Sequence, residues 1–128
     1  MERKMKPEDA NAQAYHGIIV DASLRNQTSL KKFKIVSSKK DEDWTLYKVE
    51  IANDKIESVI ELLKAELNPK FYAHFYRNNE LIVVLKDAVF KTTINATDWK
   101  KIIDYGAKNG IAREQLDFTP CRIQDETW

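Results

Sequence analysis

The sequence is poor in the residues that crosslink chains and build phosphate-binding loops. It has one cysteine, Cys121, and only three glycines among 128 residues. A single cysteine cannot form a disulfide within the chain, which is typical of a reducing compartment. Gly17, Gly106 and Gly110 do not cluster, which argues against a glycine-rich phosphate loop. We therefore expect a cytoplasmic protein without a bound cofactor.

The sequence also lacks long apolar stretches. No apolar run approaches the roughly 18 residues that a membrane span requires. The first fourteen residues are polar and lack the apolar segment of a signal peptide. We expect no membrane association, a flexible leader over residues 1–14, and one domain over residues 15–128.

The net charge is small and histidine is scarce. The formal net charge is +1, whereas nucleic-acid binders usually carry a clear basic excess. His16 and His74 are the two histidines, and no pair of ligands has the close spacing of a zinc site. No nucleophile signature surrounds Cys121. The sequence thus argues against a nucleic-acid partner and a metal site, and leaves an enzymatic activity open.

The stretch richest in apolar residues is 71–93, and its pattern predicts strand, turn, strand, turn, strand. Asn78 and Asn79 suit a two-residue hairpin turn, because asparagine tolerates positive φ. This turn places Arg77 opposite Glu80, and it also sets Tyr76 opposite Leu81, His74 opposite Val83 and Tyr72 opposite Leu85. A second turn at Asp87-Ala88 would bring residues 89–93 alongside.

Alternation along these strands predicts two faces. The first is a core face with Phe71, Ala73, Phe75, Arg77, Glu80, Ile82 and Val84. The second is mixed and carries Tyr72, His74, Tyr76, Leu81, Val83, Leu85 and Phe90. A function visible in this stretch should involve the second face.

The remaining elements surround this unit. Residues 15–21 predict a central strand, and residues 33–40 and 44–51 a hairpin. Residues 53–67 predict an amphipathic helix capped by Asn53 or Asp54, and residues 97–109 predict a second helix capped by Thr97. Residues 23–32 suit a short helix starting near Thr28 or Ser29, or an irregular loop.

This order predicts an α+β fold: a mainly antiparallel sheet of about five to six strands with two main helices. A helix within residues 23–32 would make the first six elements ferredoxin-like, with extra strands following. The segments YAHFYR, ELIVV, WTLYKVE and LDFTPC resemble a family of small prokaryotic proteins of unknown function. That resemblance implies no activity, cofactor or site.

Three ring side chains that can hydrogen-bond, Tyr72, His74 and Tyr76, alternate along one strand and should share a face. Histidine titrates near neutral pH and tyrosine donates or accepts hydrogen bonds, so a pocket here could orient a small polar ligand. Alternatively, the rings pack under the last helix or the tail, each with one hydrogen bond.

The main functional hypothesis is a non-catalytic module that binds a ligand or a protein. The alternative is a small enzyme with His74 as acid or base, Tyr72 or Tyr76 as donor, and Arg77 or Arg25 holding an anion. One helix covers only part of a wide sheet, and an uncovered apolar face usually marks an interface. We therefore predict a homodimer formed through the second face or through an adjoining strand edge. Cover from Tyr15, Phe118 and the tail through Trp128 would remove that need.

Overall fold

The computed structural model describes residues 14–118 together with Ile123, Glu126 and Trp128. In these residues six strands form one antiparallel sheet, and two α-helices pack on it, which confirms the α+β prediction. The strands are β1 (Tyr15–Val20), β2 (Lys34–Asp41), β3 (Trp44–Ile51), β4 (Tyr72–Arg77), β5 (Glu80–Leu85) and β6 (Ala88–Thr93). The helices are α1 (Ile56–Glu66) and α2 (Lys100–Lys108).

The sheet order is β2-β3-β1-β4-β5-β6, so the apolar strand β1 is central, as its sequence predicts. The first four strands have the order of a ferredoxin-like sheet, and β5 and β6 extend it at one side. Two short 3₁₀ helices, Asp21–Ser23 and Gln27–Lys32, stand where that fold has its first helix. One continuous helix does not form there because Leu24, between the two 3₁₀ helices, is extended and makes an isolated β-bridge with Leu67.

The hairpin register predicted around Asn78 and Asn79 is confirmed in all six pairs of β4 and β5. Asn78 takes the positive φ, 53°, that this turn needs. The second turn lies one residue earlier than predicted: it is Lys86-Asp87, and β6 begins at Ala88. Asp87 takes φ 63°, and its N–H donates to the Lys64 carbonyl at 3.1 Å, which fixes the turn against α1.

The first face of the sheet is covered by α1. The predicted helical stripe is buried, and it forms one core with the first face of the hairpin. The predicted cap is wrong: a 3₁₀ turn, Asn53–Lys55, precedes the helix, and no side chain caps it. The side-chain oxygen Oδ1 of Asn53 instead accepts a hydrogen bond from Arg77 Nη1 at 2.5 Å, which ties this turn to β4.

The second face is covered over β4 to β6 by α2 and the segment that follows it. Trp99, Ile102, Ile111, Leu116 and Phe118 pack against Leu81, Val83 and Leu85 in one core. Thr97 is not the cap, because the Asn95 side chain caps this end by accepting from the Thr97 N–H. The helix ends as predicted at Gly110, with φ 98°, and buried Ile111 donates its N–H to the Gly106 carbonyl.

This cover bears on the predicted homodimer. Leu81 and Val83 are fully buried within one chain, and Leu85 is 2% exposed. The apolar face that motivated the dimer therefore already has an intramolecular partner. A dimer through a strand edge stays a prediction, as do the domain boundaries.

Membrane insertion through a helix finds no support in the described residues. None of their helices is long and apolar enough to cross a membrane. Most of the predicted leader, residues 1–13, lies outside the described part of the chain, and so does Cys121.

Candidate functional site

The structure brings the predicted trio together on the second face of β4. The ring centroids of Tyr72 and His74 are 6.1 Å apart, and those of His74 and Tyr76 are 5.8 Å apart. Phe118 lies against both Tyr72 and His74, at 5.3 and 6.1 Å. His74 is 5% exposed and Tyr76 is fully buried, so the trio forms part of a packed layer rather than an open surface.

The hydroxyls of this layer are engaged by the C-terminal part of the chain. Tyr72 donates to the main-chain oxygens of Gln115 and Asp117, at 2.6 and 3.2 Å. Tyr76 donates to Oε2 of Glu126 at 2.7 Å. The alternative in which the rings pack under the tail with satisfied hydroxyls therefore describes both tyrosines.

Burial sets the acid–base character of the layer. It lowers the pKa of His74 from 6.5 to about 4, although the negative charge of Asp117 acts in the opposite direction and raises that pKa. It raises the pKa of Tyr72 from 10.0 to about 12. At neutral pH both rings are thus uncharged, and neither has a pKa near 7. His74 Nε2 is buried and has no hydrogen-bond partner among the described residues.

Beside this layer lies a groove of about 660 Å³, which we call the aromatic groove. Its floor includes Ile18, Leu46 and His74, from the adjoining strands β1, β3 and β4. Its rings come from separate parts of the chain: Trp44, Phe71, Tyr72 and Trp128. The centroids of Trp44 and Phe71 are 5.4 Å apart, in an edge-to-face contact.

The rim of the aromatic groove is mainly acidic. Four carboxylates line it, Asp41, Glu42, Asp43 and Asp117, against the two ammonium groups of Lys39 and Lys70. Lys39 already lies over the Trp128 ring, with Nζ 5.7 Å from the centroid. The last residue of β2, Asp41, and the turn that follows it supply three of the acids, and all three are exposed, so the negative rim faces solvent.

A polar network, which sequence reasoning missed, adjoins the groove on the same face. Glu126 Oε2 lies 2.7 Å from His16 Nδ1, and Glu126 Oε1 lies 3.5 Å from Lys48 Nζ. Lys48 is 1% exposed, and it also donates to the Trp128 main-chain oxygen. Its ammonium is 4.5 Å from the centroid of the Trp128 ring, a cation–π contact.

The network continues along the sheet surface. His16 Nε2 is 3.4 Å from Glu50 Oε1, and Lys34 pairs with the other oxygen of Glu50 at 3.2 Å. The hydrogen bond from Lys34 is the main reason that the pKa of Glu50 lies below its usual value. Alternation along β3 places Lys48 and Glu50 on the second face. The sequence pattern does not indicate which part of the chain covers these two side chains.

The chain has no recognisable relative in three comparisons. Neither the protein-family models nor the curated proteins nor the solved structures gave a match. The resemblance to small prokaryotic proteins therefore stays a prediction, and the site must be interpreted from its own chemistry.

Metal ligands do not converge anywhere in the described residues. No three histidine, cysteine, aspartate or glutamate side chains there stand close enough to hold a metal ion. The residues predicted to hold an anion, Arg77 and Arg25, lie elsewhere. Arg77 is on the first face, with its Cζ 4.1 Å from the centroid of the Tyr15 ring, and Arg25 is exposed. Neither lines the aromatic groove.

Proposed function

We propose that the protein is a non-catalytic binding module for a small organic cation with an aromatic body. The observation that carries the proposal is the aromatic groove, which gathers rings from separate segments above a floor of three adjoining strands. Ligand sites are commonly apolar clefts of about 300–1,000 Å³ with a few polar groups. The groove has that size and that composition.

The charge of the ligand follows from the rim. Four carboxylates against two ammonium groups give the groove a negative potential, which attracts cations and repels anions. The faces of tryptophan and tyrosine rings also attract cations. A ligand that joins an ammonium group to a flat ring would use both features.

The acid–base properties of the trio favour binding over catalysis. A general acid or base works best with a pKa near the operating pH. His74, with a pKa near 4, and Tyr72, with a pKa near 12, are both far from 7. In the proposed role these rings shape the site and exchange no protons with the ligand. An enzymatic use of the trio remains the alternative hypothesis.

The test is a calorimetric titration with three probes that share one ring: tryptamine, indole and indole-3-acetate. We expect tryptamine to bind about fivefold more tightly than indole, since an exposed cation–π contact is worth about 1 kcal/mol. Indole-3-acetate should bind most weakly.

The matched variants are Trp44→Ala and Val36→Ala. Trp44 lines the groove and is 38% exposed, whereas Val36 is 45% exposed on β2 and outside the groove. Only the Trp44 substitution should weaken tryptamine binding. Equal binding of the three probes, or equal loss in both variants, would refute the proposal.

A further inference from the structure

The Glu126 carboxylate sits in a cradle of three donors. These are the His16 ring, the Lys48 ammonium and the Tyr76 hydroxyl, and we call them the carboxylate cradle. One comes from each of the adjoining strands β3, β1 and β4. Glu126 itself comes from the C-terminal part of the chain, 50 residues beyond Tyr76.

The cradle is held by the sheet and not by its occupant. His16 is the direct ladder partner of Tyr76, and Lys48 is the partner of Ile18, two residues along β1. These pairings fix the spacing of the backbone positions that carry the three donors, whether or not Glu126 is present. Rigid strands thus preorganise a site for a carboxylate, which reduces the entropy cost of binding one.

Lys48 depends on the C-terminal part of the chain for its partners. In the described residues its ammonium contacts the Glu126 carboxylate, the Trp128 main-chain oxygen and the Trp128 ring. A buried ammonium needs such a partner, because burying an unpaired charge is strongly unfavourable. If Glu126 and Trp128 moved away, Lys48 would face solvent, and an incoming carboxylate could replace the one that left.

We infer that the carboxylate cradle is a second ligand site, for small aromatic carboxylates, that Glu126 and Trp128 occupy in the chain itself. Exchange of one carboxylate for another preserves the charge balance around Lys48. The Trp128 ring beside the ammonium shows that the site accommodates an aromatic group next to the acid. Trp128 also lines the aromatic groove, so its displacement would open the groove toward the cradle.

The probe is benzoate, titrated into the uniformly ¹⁵N-labelled protein and followed by NMR. A tethered carboxylate competes at a high effective concentration, so the unchanged protein should bind benzoate weakly. Glu126→Gln replaces the tethered charge with a neutral amide, and charge-assisted hydrogen bonds are about twice as strong as neutral ones. We expect this variant to bind benzoate about tenfold more tightly.

The control is Glu114→Gln, which changes an exposed carboxylate outside the cradle and should leave benzoate affinity unchanged. Adding Lys48→Met to Glu126→Gln should abolish the gain. The amides of His16, Lys48 and Tyr76 should shift in the Glu126→Gln variant, so the location is read even if the double variant does not fold.

No gain in Glu126→Gln would overturn the inference. A gain that survives Lys48→Met, or shifts that lie away from the cradle, would overturn it too. The inference does not rest on the aromatic groove as a cation site, because Lys48 does not line that groove and the probe carries the opposite charge. Each proposal can therefore fail alone.

Discussion

His74 should make the stability of the protein depend on pH in a way that one substitution removes. The ring is 5% exposed and lies among Tyr72, Tyr76 and Phe118. Burial lowers its pKa from 6.5 to about 4. His74→Phe keeps a planar ring at this position and removes the titrating group.

The sign follows from which state binds the proton first. As the pH falls below 6.5, His74 is protonated in the unfolded chain but stays neutral in the folded one, so unfolding is favoured. Each pKa unit corresponds to about 1.4 kcal/mol. The shift to about 4 therefore predicts a loss of about 3 kcal/mol of folding free energy between pH 6.5 and pH 4. Above pH 6.5 this contribution is fully present.

Urea unfolding at pH values from 7.5 to 4 measures the effect. The stability of the unchanged protein minus that of His74→Phe should be constant above pH 6.5 and fall as the pH approaches 4. Subtraction removes the titrations that the two proteins share. A difference that stays flat across this range, or an NMR titration of His74 with a pKa near 6.5, would refute the reasoning.

Two further predictions concern packing at and beside the site, both measured by urea unfolding. In Gly17→Ala the new Cβ would lie 2.2 Å from Cδ1 of Phe75, which should cost about 3 kcal/mol at the junction of β1 and β4. Phe75→Leu should relieve part of that cost, and strictly additive losses in the double variant would contradict the clash. Phe118→Ala should cost about 4 kcal/mol, because the ring is fully buried against Tyr72 and Trp99. A loss below about 1 kcal/mol would show that Phe118 does not anchor the tail.

Local patterns predicted most of the sheet and both helices. The register of β4 and β5 follows from a two-residue turn and from alternation, which are short-range features. The α1 stripe follows in the same way from helical spacing. Both signals lie within a few residues of the structure that they specify.

What the sequence did not reveal depends on contacts between distant residues. Alternation along β3 assigns Lys48 to a face of the sheet, but nothing near it in the sequence indicates that Glu126 and Trp128, about 80 residues later, contact it there. Polar contacts of that range leave no periodic signal. Residues 27–32 form a 3₁₀ helix that buries Leu30, although their short apolar pattern did not distinguish a helix from a loop.

The central claim is that the aromatic groove binds a small aromatic cation, and amide chemical-shift mapping with tryptamine tests it most directly. The account predicts shifts concentrated in residues 41–46, 70–74 and 111–117, the segments that contribute most of the groove lining. A second groove, of about 390 Å³, lies on the other side of the sheet and includes Phe33, Ile51 and Leu62. Shifts concentrated there, or no shifts at millimolar tryptamine, would contradict the claim.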